Sequence, residues 1–151
     1  MHTASTKVSP RQKKVDRYLR AADIGTIALV AFFVAEMLHG EESFLDGPGW
    51  IVAVGLLALL CIIGSYVYMF ARRRTDEYTL AMWHSGVTVA FFFAMGWSLF
   101  GVIVLGFIQG YYEAHGSTTF DAWSVYADWA SNILVGSFYL GFHFKRFAGA
   151  F

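Results

Sequence analysis

Two stretches of this chain, Trp50–Phe70 and Gly86–Ile108, contain no Asp, Glu, Lys or Arg. Each exceeds the roughly 20 residues needed to cross ~30 Å of hydrocarbon as a helix. Hydrocarbon offers a peptide group no partner, so a crossing segment must satisfy its own backbone, and an open sheet edge is forbidden there. The stretches show no polar/apolar alternation, so they read as helices. A third block, Ile24–Leu38, reaches spanning length when Ala21 to His39 is included. The fourth, Trp129–Phe144, is short and carries Ser131, Asn132, Ser137 and Tyr139. Trp123, Tyr126 and Trp129 precede it at three-residue spacing, as an amphipathic turn lying in a membrane interface would.

The charges lie between these blocks. They make up 15% of the chain against about 25% in a soluble domain, so the outer surface is predicted to face lipid. All eleven Lys and Arg residues fall on one side if the chain crosses four times. Lys7, Arg11, Lys13, Lys14, Arg17 and Arg20 precede block one, Arg72–Arg74 follow block two, and Lys145 and Arg146 follow block four. Glu41, Glu42, Asp46, Glu113, Asp121 and Asp128 fall on the other side. Three crossings would break this sorting. The expected fold is therefore an all-α polytopic membrane four-helix bundle, one domain over 1–151, with spans at about 21–39, 50–71, 86–108 and 127–144. By the positive-inside rule both termini are cytoplasmic. The basic N-terminus is long and no small-x-small cleavage site follows the first block, which reads as a retained span rather than a signal peptide. Asp46-Gly47-Pro48-Gly49 reads as a turn restarting a helix.

Gly86, Ala90, Ala94 and Ser98 recur every four residues, and Gly106 and Gly110 form a GxxxG pair. Small residues at this spacing let another backbone approach. They suit packing within the bundle, self-association or a membrane-protein partner. Phe91, Phe92, Phe93, Trp97 and Phe100 cover the other faces, to meet lipid or fill the core. Cys61 is the single cysteine, which leaves no intramolecular disulfide, and it reads as a packing residue.

Polar groups at membrane depth are functional candidates because each is costly there. Glu36 and His39 make a Glu-x-x-His pair on one helical face, and Glu113 and His115 end block three. Together they form a candidate ligand set for one Zn or Fe ion, and they equally suit solvated helix ends. His84 and His143 fall at similar depth and are candidate axial ligands of haem b, or ordinary interfacial histidines. The centre of the spans carries no charge, which disfavours a proton relay inside one protomer. Thr75 or Asp76 is placed to cap the helix that follows them. The Arg72–Arg74 loop and the basic N-terminus are positioned to meet anionic lipid headgroups. Their topological role leaves nucleic-acid binding without support. No nucleophile triad, phosphate loop or dinucleotide fingerprint is visible.

Asp76-Glu77-Tyr78, leading through Gly86 to Gly96-Trp97, resembles an element of small uncharacterised bacterial inner-membrane proteins. In these, Asp-Glu-Tyr/Phe precedes a span ending in Gly-Trp or a similar pair. Gly141-Phe142-His143-Phe144-Lys145-Arg146-Phe147 is similar to their last span and basic tail. The basic residue usual soon after the Tyr/Phe is absent, and Thr79 follows instead. The resemblance implies a bacterial inner-membrane location and carries no activity. The function expected is a non-enzymatic accessory or scaffold subunit, or a homo-oligomer. The alternatives are a haem- or metal-binding redox protein and a small transporter or channel for a neutral solute. A reporter fused after Phe151 is expected to be active only in the cytoplasm. Activity confined to the periplasm contradicts the four-span map.

Overall fold

A computed structural model describes residues 9–39, 48–116 and 121–149. Among them every regular element is helical: α1 (Pro10–His39), α2 (Gly49–Arg72), α3 (Glu77–Gly96), a five-residue π turn (Trp97–Gly101), α4 (Val102–Ala114) and α5 (Ala122–Phe147). α3, the π turn and α4 run on as one helical stretch. Three stretches, Pro10–Leu38, Gly49–Arg72 and Glu77–Ala114, are long and apolar enough to cross a membrane. α5 has the length, at 26 residues, but Asp128, Ser131, Asn132 and Ser137 make it more polar. The expected acidic residues Glu41, Glu42 and Asp46, and Lys7 among the basic ones, lie outside the described residues.

The helix ends follow local chemistry. α1 begins earlier than the first apolar block, with Pro10 in its first turn and the Ser9 hydroxyl accepting from the Gln12 N–H at 3.2 Å. Pro48 stands just outside α2 as its N-cap rather than inside the first turn. Of the two residues expected to cap α3, Asp76 does so, its carboxylate accepting from the N–H groups of Glu77 and Tyr78. The Thr79 hydroxyl returns the favour by accepting from the Asp76 N–H at 3.1 Å. Thr75 instead donates to the Arg72 carbonyl at 2.7 Å. α5 starts at Asp121, whose side chain accepts from the Trp123 N–H at 3.0 Å.

The chain divides into two compact units, residues 1–83 and 84–151. In the first, α1 and α2 pack as an antiparallel pair. α2 buries Ile51, Gly55, Ala58, Ile62, Ser65 and Met69, spaced alternately by four and three. That is the seam of a left-handed helix pair. α1 answers with Tyr18, Ala22, Gly25, Ala28, Leu29 and Ala35, mostly small. The close approach lets the Ser65 hydroxyl donate to the Ala21 carbonyl at 2.6 Å. At the open end of the pair, Arg11 makes a two-pronged contact with Asp76, its Nε 3.0 Å from Oδ2. The guanidinium holds the Asp76 carboxyl below the usual carboxylate range, against the opposing effect of desolvation. Trp83 closes the unit with its ring 5.3 Å from Tyr66 and 5.7 Å from Phe70.

The second unit is built on two glycines. A Cβ on Gly86 would lie 2.9 Å from the Phe138 carbonyl oxygen, and one on Gly141 2.6 Å from Val89 Cβ and 2.9 Å from the Ser85 carbonyl oxygen. At this crossing of α3 and α5 each glycine lies against the other helix's backbone, and the Ser85 hydroxyl donates to the Gly141 carbonyl at 3.1 Å. Phe138, Tyr139 and Phe142 are buried beside it.

The small-residue stripe is divided by this packing. Gly86 and Ala90 are buried, Ala94 is half-buried, and Ser98, Gly106 and Gly110 are exposed. Residues four apart advance about 40° beyond a full turn, so the stripe winds about 120° around the helix between Gly86 and Ser98. The π turn displaces it again before Gly106. The aromatic residues on the other faces are outside the core: Phe91, Phe92, Phe93 and Phe100 are exposed. Replacing Gly141 with Leu is expected to destabilise the protein by about 1–3 kcal/mol through overpacking. Gly64→Leu, which enters open space, serves as the control. Unfolding in mild detergent, followed by near-UV circular dichroism, measures the difference.

Candidate functional site at the π turn

A π turn widens the backbone spiral and is frequent at functional sites. Here it begins at Trp97, whose indole lies along its own helix over Gly101. A Cβ at position 101 would be 3.1 Å from the ring, so glycine makes the room. The indole Nε1–H donates to the Tyr126 carbonyl on α5 at 3.2 Å. The Trp97 and Tyr126 rings stack nearly parallel, 7° apart in plane with centroids separated by 5.7 Å. Trp123 also stacks on Tyr126, with centroids 5.5 Å apart. These three rings tie the π turn to the start of α5. A polar brace supports the same end: Gln109 donates to Glu113 Oε1 at 2.8 Å and accepts from the Ala122 N–H at 3.3 Å.

An open groove of about 440 Å³ runs beside the π turn. Phe92, Phe93, Gly96, Phe100 and Val104 line it together with Trp97 and Gly101, and Ile133 of α5 faces them. Its one lining side-chain N–H, on Trp97, is already committed to Tyr126. The groove therefore has shape and apolar character but nothing with which to hold an ion or activate a nucleophile.

The residues singled out from sequence are placed elsewhere. His84 is exposed near the start of the second unit, and His143 is half-buried with its ring against Phe142 and Phe147. Neither lines the groove, although α3 and α5 meet next to both at Ser85 and Gly141. Glu36 is half-buried on α1, and the side chain of His39 lies outside the described residues. Glu113 is exposed and bonded to Gln109. His115 Nδ1 lies 2.8 Å from the Tyr111 carbonyl, with the ring 4.2 Å from that of Tyr111. Among the described residues no three His, Cys, Asp or Glu side chains come together. The groove and the ring ladder are absent from the sequence reading. The three-residue spacing of Trp123 and Tyr126 was visible, but its partner Trp97 lies far along the chain.

Comparison of the chain with protein families, curated proteins and solved structures finds no match. Trp97→Phe keeps the stacking and removes the donated hydrogen bond. It is expected to cost about 0.6–1.7 kcal/mol, the range for hydrogen bonds between membrane helices. Trp97→Ala also loses the stack and costs more. Detergent unfolding of both variants checks the order.

Proposed function

We propose that this protein is a four-span integral protein of a bacterial inner membrane, with both termini in the cytoplasm. It acts by packing against another membrane-embedded chain, either a second copy or a larger complex in which it is an accessory subunit. Its three long apolar helices and the sorting of its basic residues support the membrane placement. The basic first turns of α1 and the basic residues between α2 and α3 then lie where anionic headgroups gather.

One observation carries the packing role. Gly106 and Gly110 lie one turn apart on α4, both exposed, with open space where their side chains would be. Exposed Ile103 and Phe107 flank them. In lipid, association is driven by close van der Waals fit, and small residues at this spacing supply the flat contact that it needs. Gly86, in contrast, is already used within the second unit.

The purified full chain in mild detergent is expected to run as a dimer or larger assembly, or with a stoichiometric partner. Gly106→Leu with Gly110→Leu is expected to weaken the association at least about tenfold, about 1.4 kcal/mol. A wild-type chain that sizes as a monomer and carries no partner contradicts the reading.

A further inference from the structure

A charged pocket lies in the first unit, where the α2–α3 connection meets the start of α1. Its volume is about 640 Å³, within the range of small-molecule sites. Arg11, Arg74, Thr75, Asp76, Glu77 and Leu80 line it. Arg11 and Asp76 make its fixed side. The Asp76 side chain is 12% exposed and is held by the cap of α3, so it orients the guanidinium that it grips. It takes Nε and Nη2 of Arg11. Nη1 makes no bond among the described residues, and Arg11 is 74% exposed, so part of the fork stays available.

With Arg11 and Asp76 cancelling, one cation and one carboxylate remain. Arg74 and Glu77 are both exposed and are not paired with each other. The Thr75 hydroxyl donates to the Arg72 carbonyl and keeps its oxygen lone pairs as acceptors. The pocket thus holds donors for an anion and acceptors for a cation, with no net charge on its lining. Leu80 lies about one turn further along α3, on the way to the apolar run, and adds an apolar wall.

This lining selects among lipid heads. The surrounding basic residues attract any anionic head through their summed field. Inside the pocket, a head with a phosphate and no cation leaves Glu77 facing a second anion. A quaternary ammonium has no N–H for the Glu77 carboxylate or the Thr75 oxygen. Phosphoethanolamine has both parts on a short ethylene bridge: a phosphate to accept from the arginines, and a primary ammonium to donate to the carboxylate and the hydroxyl oxygen.

We infer that this pocket binds the phosphoethanolamine head of a membrane phospholipid, its phosphate on Arg11 and Arg74 and its ammonium on Glu77. The inference rests on the membrane-spanning reading above, but not on the packing role of Gly106 and Gly110.

The test reconstitutes the full chain in vesicles of phosphatidylethanolamine, phosphatidylcholine and phosphatidylglycerol in equal amounts, with identical acyl chains. The vesicles are washed with carbonate and floated. The chain is then extracted in mild detergent, and native mass spectrometry reads the lipid that it retains. Phosphatidylethanolamine is expected to be retained about tenfold over either other lipid, the effect of one hydrogen bond to a charged group. Glu77→Gln is expected to abolish the preference over phosphatidylcholine. Arg74→Gln is expected to lower phosphatidylethanolamine retention about tenfold. Asp16→Asn, exposed elsewhere on α1, leaves both unchanged. Equal retention of the three lipids overturns the inference, and so does a preference for phosphatidylglycerol, which marks a purely anionic site. A preference that survives Glu77→Gln or Arg74→Gln places the lipid elsewhere and also overturns it. Either of these variants decides the location if the other fails to fold. A chain that does not float with the washed vesicles removes the membrane placement itself, whereas one that floats and retains no phosphatidylethanolamine overturns the inference alone.

Discussion

Close approach of one helix backbone to another is the interaction on which this structure depends. Where apolar helices lie in lipid, hydrophobicity gives them little reason to choose one another over acyl chains, so fit must supply the attraction. The chain achieves fit in two ways. In residues 1–83 a seam spaced by four and three brings Gly55, Ala58 and Ser65 of α2 against small residues of α1. In residues 84–151 a single crossing does so, with Gly86 and Gly141 each removing a side chain where the other helix passes. In both places a hydroxyl donates across the gap to a backbone carbonyl, Ser65 to Ala21 and Ser85 to Gly141. A serine reaches such a carbonyl only when the helices already lie very close.

The π turn begins at Trp97, which lies along its own helix over Gly101. The indole then faces α5, where it finds both a carbonyl and a stacking ring in Tyr126. Phe92, Phe93 and Phe100 line the groove beside it. Large and small residues on one helix thus build both the crossing at Gly86 and the cleft.

Several polar side chains close helix ends. Asp76 caps α3 and receives Arg11, Asp121 caps α5, and Gln109 bridges to Ala122. Such ends leave backbone groups to be satisfied, and these side chains satisfy some of them. Two of the candidate ligands make contacts of this kind: Glu113 is engaged by Gln109, and His115 by the Tyr111 carbonyl. Residue type and spacing nominated them, and both contacts are made along their own helix, to residues four positions earlier.

What the sequence determined by itself is the helical character, the approximate extent of the apolar stretches and a cap of α3 at Thr75 or Asp76. Each depends on residues close together in the chain: apolar runs too long for strands, and a short polar side chain beside the backbone groups that it satisfies. The glycine stripe was visible too, but not its division into a buried part at Gly86 and an open part at Gly106. That division depends on where Phe138 and Gly141 arrive from more than fifty residues away. The π turn, the Trp97–Tyr126–Trp123 ladder and the groove likewise exist only once α5 lies against the helix that carries Trp97. Contacts between distant segments have no periodicity in the chain, so tertiary packing alone decided them.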